Sequence, residues 1–451
     1  MIDIKQLRQD PERFIRGAKL KGIAADIPAL LELDGKLTKA RQELQDVRTA
    51  QNVAGKDIAK LTGPAKAKAV AAMKQAKDRA KELGDLLAEL EPKLQELLLA
   101  VPQPPDADVP AGKSAADNVE IRRWNPKGFD TSKSFADNKG FAPKTHVELG
   151  ESLGLIDFAR GVKMAGTRSY VLTGRGMMLH QAVLRYAFDF MVHQEGFTPV
   201  SVPVLVRQEM MVGTGFFPFG KDQAYEVRET ERGGGQDLYL TGTGEVGLMG
   251  LHAGEILEGD SLPRRYLTVS TCFRREAGAS GKDTAGLFRI HQFDKVEQVV
   301  LCAADEQESR AWHKKMIGFV EALMQRLELP YRLLQCCTAD LGPKNADQVD
   351  IETWMPSRGP TGPDGRAAGE YGETHSASRL YDYQCRRLDL RYRDGRTKKV
   401  AVCHSLNNTV AASPRILIPI LELYQNADGS VTVPKVLRPH MGGLEIITPV
   451  A

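Results

Sequence analysis

The run from Thr271 to Glu297, TCFRREAGASGKDTAGLFRIHQFDKVE, gathers Arg274, Arg275, Glu276, Lys282, Arg289, His291 and Glu297 around a Gly-rich turn. Segments patterned as strands flank it on both sides. Guanidinium and ammonium groups beside such a turn can grip a polyphosphate, and neighbouring carboxylates can read amino groups. A further cation, Arg415, stands at the start of the apolar stretch ILIPILEL. There it opposes the positive end of the helix dipole, which argues for an anionic ligand. Blander readings compete: adjacent arginines are ordinarily surface ion-pair residues, and Phe293 on an alternating strand is ordinarily core.

Elements able to hold these residues are legible around them. DLYLTGT, RRYLTVSTCFR and FDKVEQVVLC alternate apolar and polar residues between turn residues, and helical patterns such as SRAWHKKMIGFVEALMQRLEL intervene. Strands in hairpin order with helices between groups predict an antiparallel sheet of α+β class. GxxxxGK[ST] is missing, which excludes the P-loop, and the usual dinucleotide fold would need a βαβ series that the order of these elements does not offer. ATP, if it binds, must then be held by arginines on a sheet.

The first hundred residues read differently. Apolar positions at Leu30, Leu33, Leu37, Ala40, Leu44, Val47, Ala54, Ile58 and Leu61 fall at steps of three and four, with Gln51 filling the one polar gap. After Thr62-Gly63-Pro64 a second series runs from Ala69 through Met73, Leu83, Leu87 and Leu94 to Val101. Two heptad seams around a Gly-Pro break predict an antiparallel helical hairpin, each helix reaching roughly 45 Å, with a bend at Pro92. Its distal part is basic: Arg48, Lys56, Lys60, Lys66, Lys68, Lys74, Lys77, Arg79 and Lys81 face only Asp57 and Asp78. A solvated coiled-coil face usually mixes its signs, so this bias suits a phosphate backbone. Few aromatics occur here, which favours backbone and shape recognition over base stacking.

Nearly the whole chain resembles the class II aminoacyl-tRNA synthetases, in the form of the seryl-tRNA synthetases. FRRE followed by AGASGKDTAGLFRIHQF resembles motif 2; MLHQAVLRYAFDFMVHQEG with Gly196, FTPVSVPVLV and Pro203 resembles motif 1; HSLNNTVAASPRILIPILELYQ resembles motif 3. The resemblance implies ATP contacts from Arg274, Glu276, Arg289, Phe293, Glu373, Ser376 and Arg415, with Arg274 and Arg415 carrying the catalysis. Phe293 would stack on adenine, and Lys282 and Asp283 would approach the tRNA acceptor end. It implies L-serine contacts from Thr243, Glu245, Arg274, Glu297 and Thr409, and Mg²⁺ held by Glu373 and Ser376 of GETHSAS. His375 beside them reads as structural. The implied partners are tRNA(Ser), gripped by the basic arm, and a second copy of the chain joined through motif 1. The departures are Arg379 and Leu380, in the Ser378–Gln384 stretch where many relatives read SNCTDFQ, Asn408 and Val410 at positions where many relatives carry glycine, and a Pro/Gly-rich insertion from Ser357 to Gly369 expected near the ATP site.

The expected organisation is residues 1–101 as an N-terminal tRNA-binding domain with its hairpin arm at 28–101, a linker at 102–115 and a class II catalytic domain at 116–451. A chain of 451 residues is long enough for such a division. No apolar run approaches the roughly 20 residues of a membrane span, and the N-terminus lacks an apolar leader, so a cytoplasmic enzyme is expected. The six cysteines show no CxxC pairing; reduced thiols, and no zinc, are the expectation. The expected activity is ATP-dependent formation of seryl-adenylate and transfer to tRNA(Ser), with tRNA(Sec) as a second candidate. A non-catalytic RNA-binding paralogue would be marked by loss of Arg274, Glu276, Glu373 or Arg415, and all four are present. An enzyme charging a different acceptor would be expected to lack the long arm.

Overall fold

A computed structural model of the chain describes residues 1–58, 60–228, 237–278, 285–361, 365 and 367–449. Contacts divide it into two units, Met1–Pro104 and Pro105–Ala451. In the first unit the short helices α1 (Ile4–Gln9) and α2 (Pro11–Leu20) are capped by Asp3 and Asp10, whose side chains accept from backbone N–H groups of the first turn. The hairpin follows as α3 (Ile27–Ile58) and α4 (Gly63–Ala100). Gly63 reverses the chain at φ +61°, a conformation open to glycine, and Pro64 then fits the first helical turn.

Leu30, Leu37, Ala40 and Leu44 of α3, and Leu83, Leu87, Leu94 and Leu98 of α4, are buried. Burying each leucine contributes about 1.5–3 kcal/mol. The distal seam is thinner, because its residues are mostly alanine, and Ala54 is exposed. Arg41–Glu91 at 2.8 Å and Arg79–Glu43 at 2.7 Å bridge the two helices; exposed pairs of this kind do more for register than for stability. α4 is continuous through Pro92.

The second unit is built on a sheet of eight strands among the described residues. In chain order these are β1 (Val119–Trp124), β2 (Thr198–Pro199), β3 (Arg264–Phe273), β4 (Gln292–Cys302), β5 (Tyr331–Gln335), β6 (Asp347–Met355), β7 (Glu370–Tyr381) and β8 (His404–Ser413). Their spatial order is β1-β5-β6-β7-β8-β4-β3-β2, antiparallel throughout except for the β2–β3 pair. The architecture is therefore α+β, with the long hairpin in one unit and an antiparallel-dominated sheet with helices in the other.

Strand alternation decides which side chains meet the helices. Val296 and Val300 of β4 join Leu179 and Val183 of the Gly174–Asp189 helix, and Met316 and Val320 of the Glu306–Arg326 helix, in one core. Phe293, Lys295 and Glu297 alternate with them and so lie on the opposite face, which is left open to the cavities described below. Among the described residues no helix is long and apolar enough to cross a membrane.

Candidate active site

Arg274 follows directly on β3, and its backbone N–H donates to the carbonyl of His291 at 2.9 Å, closing the β3–β4 pairing around the motif 2 turn. Its guanidinium Nε donates to the carbonyl of Gly242 at 3.3 Å and Cζ lies 5.2 Å from the centre of the Phe293 ring. Glu276 adopts φ +51° within the turn and accepts from Arg289 Nη1 at 3.4 Å. Lys282 and Asp283 lie outside the described residues.

Arg415 enters from the end of β8, and Leu417–Leu423 form the helix after it. It donates to the carbonyls of Phe288 and Glu373, each at 3.1 Å, and its Cζ sits 4.5 Å from the centre of the Phe288 ring. Burial pulls its proton affinity down and Glu373 pushes it back up, while Arg274 and Arg289 lower it again. Three guanidinium groups that repel one another this way form a site whose charge an anion would relieve.

A β-bulge explains how Glu373 and Ser376 come to share a face. Three residues apart on a regular strand, they would point to opposite sides. Between β6 and β7, however, Ile351 pairs with His375 and Glu352 with Glu373, so Thr374 is the extra residue. Glu373 and Ser376 then oppose Glu352 and Asp350, which are two apart and on one face. His375 is turned inward: burial drops its pKa to about 3, and Nδ1 lies 2.9 Å from Thr374 Oγ1.

The oxygen donors of Glu373 and Ser376 fit a hard cation. Asp350, beside Ser376, adds to this, because burial and the charge of Glu373 push its carboxyl up to about 7. A divalent ion would relieve that repulsion. All six cysteines are unbridged and buried. Cys336, Asp340 and Asp350 lie within 4.8 Å of one another, the single such cluster of potential metal ligands found among the described residues. Burial, followed by the charges of Asp350 and Asp340, raises the Cys336 thiol far above its ordinary range.

Thr243 and Glu245 arrive on a turn pressed against β3. Gly244 is required there, because a Cβ at that position would stand 2.4 Å from Thr268 Cγ2 and 2.9 Å from Ser270 Oγ. Glu297 is buried, which raises its pKa, while Lys295 at 2.5 Å favours the charged form. Thr409 donates to Glu297 Oε2 at 3.4 Å. The β4–β8 pairing is also bulged, with Val410 as the extra residue, so that Thr409 stands opposite Glu297.

These side chains line adjoining cavities. One of about 590 Å³ is bordered by Arg274, Glu276, Phe288, Arg289, Glu373 and Arg415. Another of about 400 Å³ is bordered by Thr243, Glu245, Lys295, Glu297, Ser376 and Thr409, again with Arg274 and Glu373. A small space of about 50 Å³ between Phe293, Thr409 and Arg415 shares Arg274 and Glu373 with both. Every residue expected to contact ATP, serine or Mg²⁺ borders at least one of the three.

Some lining residues escaped the sequence. Lys295 was within reach of the alternation that pointed to Glu297, two positions on. Phe288, Lys344 and Asn407 gave no spacing signal, because long-range packing brings them in. In the arm all nine expected cations are exposed. Arg79 is engaged by Glu43 and Glu82, and Lys60 lies 3.5 Å from Asp57.

Comparison with known proteins agrees with this geometry. Residues 1–105 match the seryl-tRNA synthetase N-terminal domain, and residues 225–424 match the tRNA synthetase class II core domain (G, H, P, S and T). The chain is 41% identical over 448 residues to the serine–tRNA ligase of Deinococcus radiodurans, covering 99% of each. It is 39% identical to that of Streptomyces coelicolor, covering 100% of each. Among solved structures it is similar to seryl-tRNA synthetase from Pyrococcus horikoshii complexed with ATP, at 36% identity and TM-score 0.86, covering 100% of each chain. It is also similar to the cytoplasmic serine–tRNA ligase of Naegleria fowleri in complex with AMP, at 28% identity and TM-score 0.82, covering 98% of this chain and 96% of that one. With arm, core and cavities all in agreement, the chain belongs to the seryl-tRNA synthetase family.

Proposed function

We propose that the protein is a serine–tRNA ligase, which activates L-serine with ATP to seryl-adenylate and transfers the seryl group to the 3′ end of tRNA(Ser). The observation that carries this is the position of Arg274, a half-buried guanidinium bordering both the larger cavity and the smaller polar one. A cation at that junction can hold the α-phosphate from one side and the amino-acid carboxylate from the other. The serine carboxylate oxygen attacks the α-phosphorus, a P–O bond forms, and the bond to the β-phosphate oxygen breaks to release pyrophosphate. The nucleophile is already ionised, so no general base is needed, and alignment of two anions is the main task.

Arg289 and Arg415 take the outer phosphates in this proposal, while Glu276 reads the adenine amino group and Phe293 meets the ring. Glu373 and Ser376 would hold Mg²⁺, whose chemistry would be to offset the negative charge of the phosphates. Thr243, Glu297 and Thr409 read the ammonium and hydroxyl of serine. In the second step a terminal ribose hydroxyl of the tRNA attacks the acyl carbon, the bond to the AMP phosphate oxygen breaks with its electron pair going to AMP, and the hydroxyl proton is released to water. The basic end of the hairpin holds the tRNA through its backbone.

We also propose a homodimer joined through the motif 1 region. Met177 and Met178 at the start of the Gly174–Asp189 helix are exposed, as are Val162 and Met164 nearby in sequence, which suits a face covered by a second copy. The test of the overall reaction is charging of a tRNA(Ser) transcript with labelled serine. Serine- and ATP-dependent acylation is expected. Adenylate formation without acylation of any serine tRNA would overturn the acceptor assignment.

A further inference from the structure

Lys344 lies in the coil between β5 and β6 and reaches into the smaller polar cavity. Its Nζ donates to both oxygens of Glu245, at 2.7 Å and 2.8 Å, and stands 4.1 Å from the centre of the Phe216 ring. Glu245 Oε1 accepts two more hydrogen bonds, from Gln384 Nε2 at 2.7 Å and Asn407 Nδ2 at 2.6 Å. Three side chains thus make four hydrogen bonds to this carboxylate, three to Oε1 and one to Oε2, so most of its acceptor capacity is already used. Across the same cavity Glu297 has Lys295 and Thr409 as neighbours. Burial lowers the proton affinity of Lys344, and the charge of Glu245 restores part of it.

The cavity therefore holds two buried carboxylates, each already matched by a lysine. A ligand bringing one ammonium and one carboxylate leaves the charge there unchanged; one bringing a second ammonium adds a cation beside Lys344 and Lys295 at a cost the low dielectric magnifies. We propose that Lys344 is a specificity-determining positioning residue: by occupying Glu245 it excludes amino acids with a cationic side chain and leaves the pocket to a neutral hydroxyl. The inference deepens, and rests on, the proposal that the site activates serine.

The test uses the full chain in amino-acid-dependent ATP–pyrophosphate exchange, with serine and 2,3-diaminopropionate, whose side chain replaces the hydroxyl by an ammonium of similar size. The wild type is expected to use serine and reject the diamine. In Lys344→Met the uncompensated Glu245 carboxylate should shift the ratio of kcat/KM values at least about tenfold toward the diamine. Lys344→Arg should keep the wild-type ratio, and Lys344→Met combined with Glu245→Gln should lose the gain. Should Lys344→Met not fold, Lys344→Gln carries the same comparison. An equal fall for both substrates, or an unchanged ratio, overturns the specificity role. A wild type inactive with serine would instead count against the proposed function.

Discussion

Replacing Arg274 by alanine removes the group that joins the two cavities, and its effects on stability and on activity separate cleanly. For folding, the guanidinium contributes one hydrogen bond to a carbonyl, at 3.3 Å from Gly242, and one contact over Phe293 at 5.2 Å. A neutral-acceptor hydrogen bond contributes about 0.5–1.5 kcal/mol and a cation–π contact at a partly open site about 0.5–1 kcal/mol. The stability loss should therefore stay below roughly 2.5 kcal/mol. For catalysis the same group would make a charge-assisted contact to each of two reacting anions, at about 1.5–3 kcal/mol apiece. Their loss lowers kcat/KM by about 10²–10⁴.

Pyrophosphate exchange on the purified variant, with a thermal melt on the same sample, measures both quantities. Arg274→Lys keeps the charge but not the fork and should fall between wild type and alanine. Arg275, the exposed neighbour, serves as the control, and its alanine variant should remain within about twofold of wild type in exchange. A loss smaller than tenfold for Arg274→Ala, or a loss shared by Arg275→Ala, would refute the bridging role.

Other outcomes follow from the same geometry. Gly244→Ala places a methyl group 2.4 Å from Thr268 Cγ2, so it should cost about 1–3 kcal/mol and raise the KM for serine more than that for ATP; equal changes in both would contradict it. Exchanging Lys66, Lys68 and Lys74, all exposed, for glutamine should weaken tRNA binding and flatten its salt dependence by up to about 3 logarithmic units per decade of salt. Pyrophosphate exchange should not change in that variant. His375 has its pKa lowered from 6.5 to about 3 by burial, so below pH 6.5 the unfolded chain takes a proton that the folded chain refuses. Stability then falls with pH, by about 2 kcal/mol from this group between pH 6.5 and 5. His375→Gln should lack that increment in urea unfolding measured at the two pH values.

How far the sequence alone reaches depends on whether the information is local. The hairpin is legible because leucine spacing, Gly63 and Pro64 all act within a few residues of where they stand. The open face of β4 is legible for the same reason, since Phe293, Lys295 and Glu297 keep strict alternation. Glu373 and Ser376 are different. Their spacing of three argues against a shared face, and only the bulge at Thr374 reconciles it; family resemblance, not periodicity, pointed to them. Bulges arise from the pairing of two strands, which one strand's pattern does not encode. Lys344 and Phe288 lie in irregular segments and reach the cavities through the fold as a whole. The engagement of Glu245 by Lys344, Gln384 and Asn407 depends on residues up to 162 positions away and has no local trace.

The most direct measurement on the central claim is serine-dependent ATP–pyrophosphate exchange by the wild-type chain, with alanine and threonine as the competing amino acids. Exchange with serine, strongly reduced with alanine because Glu297 and Thr409 would be left without a hydroxyl, is the predicted result. Exchange with alanine at a comparable rate, or none with serine by the folded protein, would contradict it.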